Sequence, residues 1–275
     1  RSKKPEETLP RELVTIELDG GRVVGRLSLD RSAEILGRVA DTDTAVLFAE
    51  ATRKPRLGAE VLFVDLAQQI LVARLPIDGS PAHPLLTPAG DLLYLLDPGS
   101  PSNKPEKNVD GVLHVISPGE RKLLASLGAG SDPHPLVWDG DRQQVLALSD
   151  GPPTKGPARR GTLRVVKGAE LLVTLQVAEQ PRLLRIAGTR GYVAGKGAIS
   201  VVSLGELQRL GEIGLQHAET IDELTFSKDL TRAFALFEAS SRLSVLDTEG
   251  QRVVGSLTTG RGGVKLAKAL GAAAL

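Results

Sequence analysis

One pattern recurs along the 275-residue chain: a short apolar strand, a turn rich in Gly, Asp, Ser or Glu, and a second apolar strand. The copies are ELVTIELDGGRVVGRLSL from Glu12, EVLFVDLAQQILVARLPI from Glu60, GVLHVISPGERKLLASLG from Gly111, GTLRVVKGAELLVTLQV from Gly161, GAISVVSLGELQRLGEIGL from Gly197 and SRLSVLDTEGQRVVGSLTTG from Ser241. Two apolar runs joined by such a turn read as a β-hairpin. A unit of this kind repeated in tandem constrains the fold more than composition does, because each copy needs neighbours to bury its apolar faces.

A second pair of strands lies between the hairpins. HPLLTPAGDLLYLL (His83–Leu96), HPLVWDGDRQQVLAL (His134–Leu148) and DELTFSKDLTRAFALF (Asp222–Phe237) each run into a turn and return, and Glu34–Ala49 and Arg182–Gly195 are looser copies. Four antiparallel strands per period of roughly 40–50 residues is the arithmetic of a β-propeller blade. The expected fold is therefore all-β: a propeller of about six, alternatively seven, four-stranded blades. Complete blades start near Ile35, Leu85, Leu136, Leu183 and Leu224. The N-terminal hairpin (Leu13–Leu29) and a C-terminal strand at Val264–Leu266 are left to close the ring as a further blade, which removes exposed sheet edges. Residues 1–10, charged and Pro-bearing, read as a flexible lead-in, and 11–275 as one propeller domain.

The copies resemble the YVTN-type β-propeller repeat of the quinoprotein and lactonase-like superfamily. VLFVDLAQQILVARLPIDGSPAHPLLTPAGDLLYLL comes nearest to its pattern and LSVLDTEGQRVVGSLTTG next. The chain departs from it where Pro-Asp-Gly becomes Pro88-Ala89-Gly90, where the hairpin after Gly161 lacks Asp, and where aromatic positions are mostly Leu or Val. The resemblance implies a fold that serves many activities, and a periplasmic or extracellular setting in preference to a cytoplasmic one.

The chemistry that can be excluded is considerable. With 34 basic and 33 acidic residues there is no global pull toward nucleic acid or a membrane surface, and none is expected as a partner. No Cys is present, which removes disulfides, thiolate nucleophiles and Cys-ligated metals. No apolar run approaches the ~18 residues of a membrane-spanning helix. Phosphate-loop, nucleophile-elbow and zinc-protease motifs are missing, and GTRGYVAGKG has glycines without a following helix. Asp65, Asp97, Asp110, Asp139, Asp150 and Asp247 fall where Asp caps a turn through its own backbone, and Trp138 reads as blade packing. No catalytic residue, cofactor or metal site is expected.

Topology supplies a functional expectation. With strands labelled a to d from the axis outward, the b–c and d–a connections share one face, and only that face carries long loops. Those loops bear Arg53, Lys54 and Arg56, then Lys104 and Lys107, then Lys155, Arg159 and Arg160. The residues just before each strand a, His83, His134, Arg182 and Asp222, should gather at the channel mouth on the same face. Loops held by a rigid scaffold are where function concentrates. The expected function is a non-catalytic binding or scaffold propeller, monomeric, taking a protein, glycan or small anionic ligand there. A lactonase-like hydrolase and the propeller part of a larger redox enzyme are the alternatives.

Overall fold

The computed structural model describes residues 11–53, 56–100, 108–134, 136–150, 160–215, 219–237 and 239–258. Every regular element among them is a β-strand. In chain order these begin with β1 (Arg11–Ile16) and β2 (Val23–Leu29), then β3 (Glu34–Arg38), β4 (Thr44–Ala49), β5 (Thr52–Arg53), β6 (Arg56–Leu57), β7 (Ala59–Asp65) and β8 (Ile70–Ile77). Next come β9 (Ala82–Leu86), β10 (Leu93–Asp97), β11 (Gly111–Ser117), β12 (Lys122–Gly130), β13 (Val137–Asp139), β14 (Gln144–Ser149), β15 (Arg160–Lys167) and β16 (Glu170–Glu179). The series ends with β17 (Leu183–Ala187), β18 (Arg190–Gly195), β19 (Ala198–Ser203), β20 (Gln208–Gly214), β21 (Glu223–Phe226), β22 (Arg232–Phe237), β23 (Arg242–Asp247) and β24 (Arg252–Thr258).

Five four-stranded sheets follow chain order: β3-β4-β7-β8, β9 to β12, β13 to β16, β17 to β20 and β21 to β24. Each is an antiparallel meander, the propeller blade expected from the repeat. β1 and β2 form a two-stranded hairpin that corresponds to strands c and d of a sixth blade. Val264–Leu266, expected to contribute to that blade, and the lead-in 1–10 lie outside the described residues. One element was not expected: β5 and β6 make a two-stranded ribbon inside the b–c connection of the first full blade.

The chain divides into two compact units, 1–97 with 113–126 and 98–112 with 127–275. In the first, Val46 and Phe48 of β4 and Val61 and Phe63 of β7 feed one core, while Ala45, Leu47, Leu62 and Val64 of the same strands feed another. Leu13, Leu27 and Leu29 place the N-terminal hairpin on that second core. In the second unit, Tyr192 and Ala194 of β18 face the core shared with Leu224, Ala235 and Phe237, and Val193 faces the core shared with Leu146, Leu163 and Val165. The inner strands are buried on both faces, so they read as continuous apolar runs instead of alternating ones.

The c–d turns repeat one design. Asp65 Oδ1 accepts from Gln68 N at 2.7 Å, Ser117 Oγ from Glu120 N at 3.2 Å, Ser203 Oγ from Glu206 N at 3.2 Å, and Asp247 Oδ1 from Gly250 N at 3.1 Å. The next residue in each is left-handed: Gln69, Arg121, Leu207 and Gln251, with φ between 49° and 57°. A bulge follows in the ladders of β7–β8, β19–β20 and β23–β24. The β15–β16 turn, which has no Asp, reaches the same backbone state with Gly168 at φ 58°. Two of these residues also touch the preceding sheet. Gln69 Nε2 donates to Val24 O at 3.0 Å and its amide lies over Gly25, while the Gln251 amide lies over Gly211. A methyl group on either glycine would fall within 2 Å of the glutamine oxygen.

Gly195, where β18 turns into β19, marks a less yielding approach: a methyl group there would sit 2.3 Å from the Glu179 carbonyl oxygen, which is backbone and has no rotamer to yield. Gly195→Ala should therefore destabilise the protein by about 1–3 kcal/mol. Gly128→Ala, where nothing lies within 4 Å, should stay within about 0.5 kcal/mol of wild type. Urea unfolding midpoints of the two variants check this, and equal midpoints would contradict it.

Candidate functional site

The site is built on the residues that open strand a in successive sheets of the second unit. The backbone N–H of His134 donates to Leu148 O, that of Arg182 to Ala194 O and that of Asp222 to Leu236 O, each at 2.9 Å. Ahead of them stand buried Pro133, Pro181 and Ile221. Asp132 (φ 46°) and Gln180 (φ 47°) give the incoming chain the same left-handed step before the two prolines. The repeat therefore delivers three polar side chains at one level of the sheets.

His134 and Arg182 meet. Arg182 Nη1 lies 3.2 Å from His134 Nε2, and Arg182 Nη2 lies 3.5 Å from Asp150 Oδ2. The other oxygen of Asp150 is 3.3 Å from the same His134 Nε2. Asp132 Oδ2 completes the group at 3.9 Å from Arg182 Nη1. Burial is graded: the side chains of His134 and Asp150 are 13% and 11% exposed, those of Arg182 and Asp132 46% and 42%. A fixed, water-poor His–Asp pair thus carries a half-exposed guanidinium above it. Asp222 is exposed at the corresponding position one sheet further on.

Asp150 is the member that sequence reasoning missed. It was expected to cap a turn; the segment after it, 151–159, lies outside the described residues, and its side chain lies against His134 and Arg182 while its N–H is bonded to Ser131 O at 3.0 Å. The available signal was register: Leu148 pairs with His134, so the end of strand b must pass beside the start of strand a. Beneath it lies a second polar layer. Arg164 Nη1 donates to Ala129 O, Ser149 Oγ and Thr162 Oγ1 at 2.8–3.0 Å. Burial holds the Arg164 guanidinium below its ordinary pKa, and Asp110 partly opposes that. Ser131 Oγ donates to Asn108 Oδ1, and Asn108 to Asp110.

The remaining candidates are placed differently. His83, in the first unit, is an exposed residue at φ 50°, where the β9–β10 ladder shifts register between Tyr94 and Leu96. It is thus part of a bulge, a backbone setting that His134, Arg182 and Asp222 do not share. Arg53 and Arg56 are cross-strand partners in the β5–β6 ribbon, beside a cavity of about 580 Å³ lined by Glu50, Thr52, Gly58, Gly79 and Ser80. Arg160 opens β15, exposed, 3.7 Å from Glu212. Lys54, Lys104, Lys107, Lys155 and Arg159 lie outside the described residues. Among the described residues no three His, Asp or Glu side chains are grouped to hold a metal ion.

His114 is a separate case. It is buried in β11 of the first unit, with Nδ1 3.0 Å from Ser126 Oγ. Burial lowers its pKa, against the opposing charges of Asp97 and Asp78.

No protein-family model matches the chain, and no curated protein does. Solved structures resemble it in fold. A hydrazine synthase from Kuenenia stuttgartiensis aligns over 94% of this chain and 76% of its own, at 11% identity and a TM-score of 0.49. KlHsv2 with loop 6CD replaced by a Gly-Ser linker aligns over 90% and 75%, at 10% identity and a TM-score of 0.50. A protein from Lactobacillus plantarum aligns over 79% and 67%, at 22% identity and a TM-score of 0.47. At such identities the likeness is one of fold alone; the blades described above give the fold class, the β-propeller.

The His114 shift gives a pH dependence with a definite sign. The unfolded chain takes up the proton at a higher pH than the folded one. The stabilising contribution of the neutral ring is thus complete above about pH 7.5 and is lost as pH falls through the unfolded value near 6.5 toward the folded value. His114→Gln should flatten this part of the profile, read as the difference in thermal midpoint between wild type and variant from about pH 8 to about pH 5. A constant difference across that range would count against the assignment.

Proposed function

We propose that the protein is a non-catalytic binding propeller of YVTN-type repeats. It takes an anionic group, borne by a protein partner or a small molecule, on the b–c and d–a loop side of the second unit. Arg182 is the principal donor. The supporting observation is the exposure gradient in its cluster: Asp150 and His134 hold the base of the guanidinium in a nearly dry setting, while on its outer side, among the described residues, it meets Asp132 at 3.9 Å. A carboxylate or sulfate oxygen arriving from solvent can replace that loose contact with a charge-assisted hydrogen bond, the stronger kind.

Binding is favoured over hydrolysis because, among the described residues, the hydroxyls of Ser131 and Ser149 beside the cluster are engaged elsewhere. Ser131 donates to Asn108, and Ser149 bonds Thr162 and accepts from Arg164. The His134–Asp150 contact is the one observation on the side of a lactonase-like hydrolase, since an imidazole held by a carboxylate is the usual arrangement of a general base.

Sulfate and a short Asp/Glu-rich peptide are suitable probes, with binding followed by calorimetry. Arg182→Ala should weaken either by about tenfold or more, the loss of one charge-assisted contact. The unfolding midpoint should stay near that of wild type. Unchanged affinity in this variant would remove the reading. A lactone and ester screen with His134→Ala as control decides the second reading: turnover abolished in the variant would establish it and displace the first.

A further inference from the structure

We infer that His134 is a proton-operated latch on Arg182, so that the anion-facing guanidinium is held down when the imidazole is neutral and released when it is protonated. This rests on the binding reading above and adds its regulation.

The geometry is a conflict over one atom. His134 Nε2 lies 3.2 Å from a donor, Arg182 Nη1, and 3.3 Å from an acceptor, Asp150 Oδ1. A ring nitrogen either carries a proton or presents a lone pair, so only one of these hydrogen bonds exists at a time. With the proton on Nδ1, Nε2 accepts from Arg182, whose Nη2 meanwhile pairs with Asp150 Oδ2 at 3.5 Å. The guanidinium then has two anchors, His134 and Asp150. With both ring nitrogens protonated, Nε2–H donates to Asp150 Oδ1 and the imidazolium faces the guanidinium as a like charge. Arg182 Nη1 loses its acceptor, and Asp150 is shared between two cations. The path open to Arg182 is outward, toward Asp132 and solvent, where its side chain is already 46% exposed.

Among the described residues, the charged groups that face His134 are Asp150 from the end of β14 and Arg182 from the start of β17, with Asp132 of its own segment reached through Arg182. Its backbone is pinned to Leu148, so the ring cannot leave the conflict by moving the chain. The consequence is an anion site that strengthens as the surroundings acidify.

Two measurements test this. The first is the tautomer of His134 in the folded protein at about pH 8, read from its ring nitrogen resonances, where the Nδ1–H form is expected. An Nε2–H tautomer at that pH would overturn the latch. The second is the sulfate affinity at about pH 5.5 and about pH 8, since sulfate itself does not titrate there. Wild type should bind about fivefold or more tightly at the lower pH, beyond the change shown by His134→Gln, which can accept from Arg182 but takes up no proton. An equal gain in both proteins overturns the latch and leaves the site standing. Equal binding by wild type and Arg182→Ala at both pH values instead removes the binding reading, and the tautomer then judges the His134–Arg182 bond by itself.

Discussion

The whole structure depends on strands that are apolar on both faces. Val46 and Phe48 point one way from β4 while Ala45, Leu47 and Ala49 point the other, and β18 divides Tyr192 and Ala194 from Val193 in the same manner. A sheet of this kind cannot rest in water on either side. Burying two opposite faces at about 25 cal/mol per Å² is possible only with a further sheet on each. Repetition is thus the condition of stability here. The protein achieves it with few aromatic residues, Phe48, Phe63, Tyr192 and Phe237 among them, and fills the rest of the gaps between sheets with Leu, Val, Ile and Ala.

The same constraint separates the conserving parts of each sheet from the variable ones. Turns between c and d must return the chain within a few residues, so four of the five full sheets converge on an Asp or Ser cap and a left-handed fifth residue, and β15–β16 uses a left-handed glycine. The b–c connections carry no such restriction. They vary from the two-residue link Lys196–Gly197 to the β5–β6 ribbon, and this is the side on which the His134, Asp150 and Arg182 side chains assemble. Function collects where the fold asks least of the sequence.

That division also explains what could be read in advance. The hairpins were legible because Asp65 and Asp247 sit at turn spacing between apolar runs, and the starts of strand a because His134, Arg182 and Asp222 recur at one place in the period. The meeting of His134 with Arg182 followed from that recurrence. Asp150 did not, because its role comes from a cross-strand register spanning 16 residues, and an Asp at a strand end looks the same whether it caps a turn or holds a histidine. His83 misled for a local reason: a bulge in β9 inserts it into the period, and a one-residue insertion is invisible in the letters AHPLL. The β5–β6 ribbon was hidden because two-residue strands leave no periodicity to detect.

Gln69 over Gly25 and Gln251 over Gly211 have a practical consequence for rebuilding the molecule. Each pair joins the turn of one sheet to the outer strand of the sheet before it, so the natural cut for shuffling modules does not coincide with the edge of a sheet. A transplanted sheet that brings its glutamine to a neighbour with a bulky residue in place of the glycine must turn that amide aside, and one that leaves Gln69 behind takes this donor from the Val24 carbonyl. The interchangeable part is the sheet together with its neighbour's glycine, a unit that reaches back into the preceding outer strand.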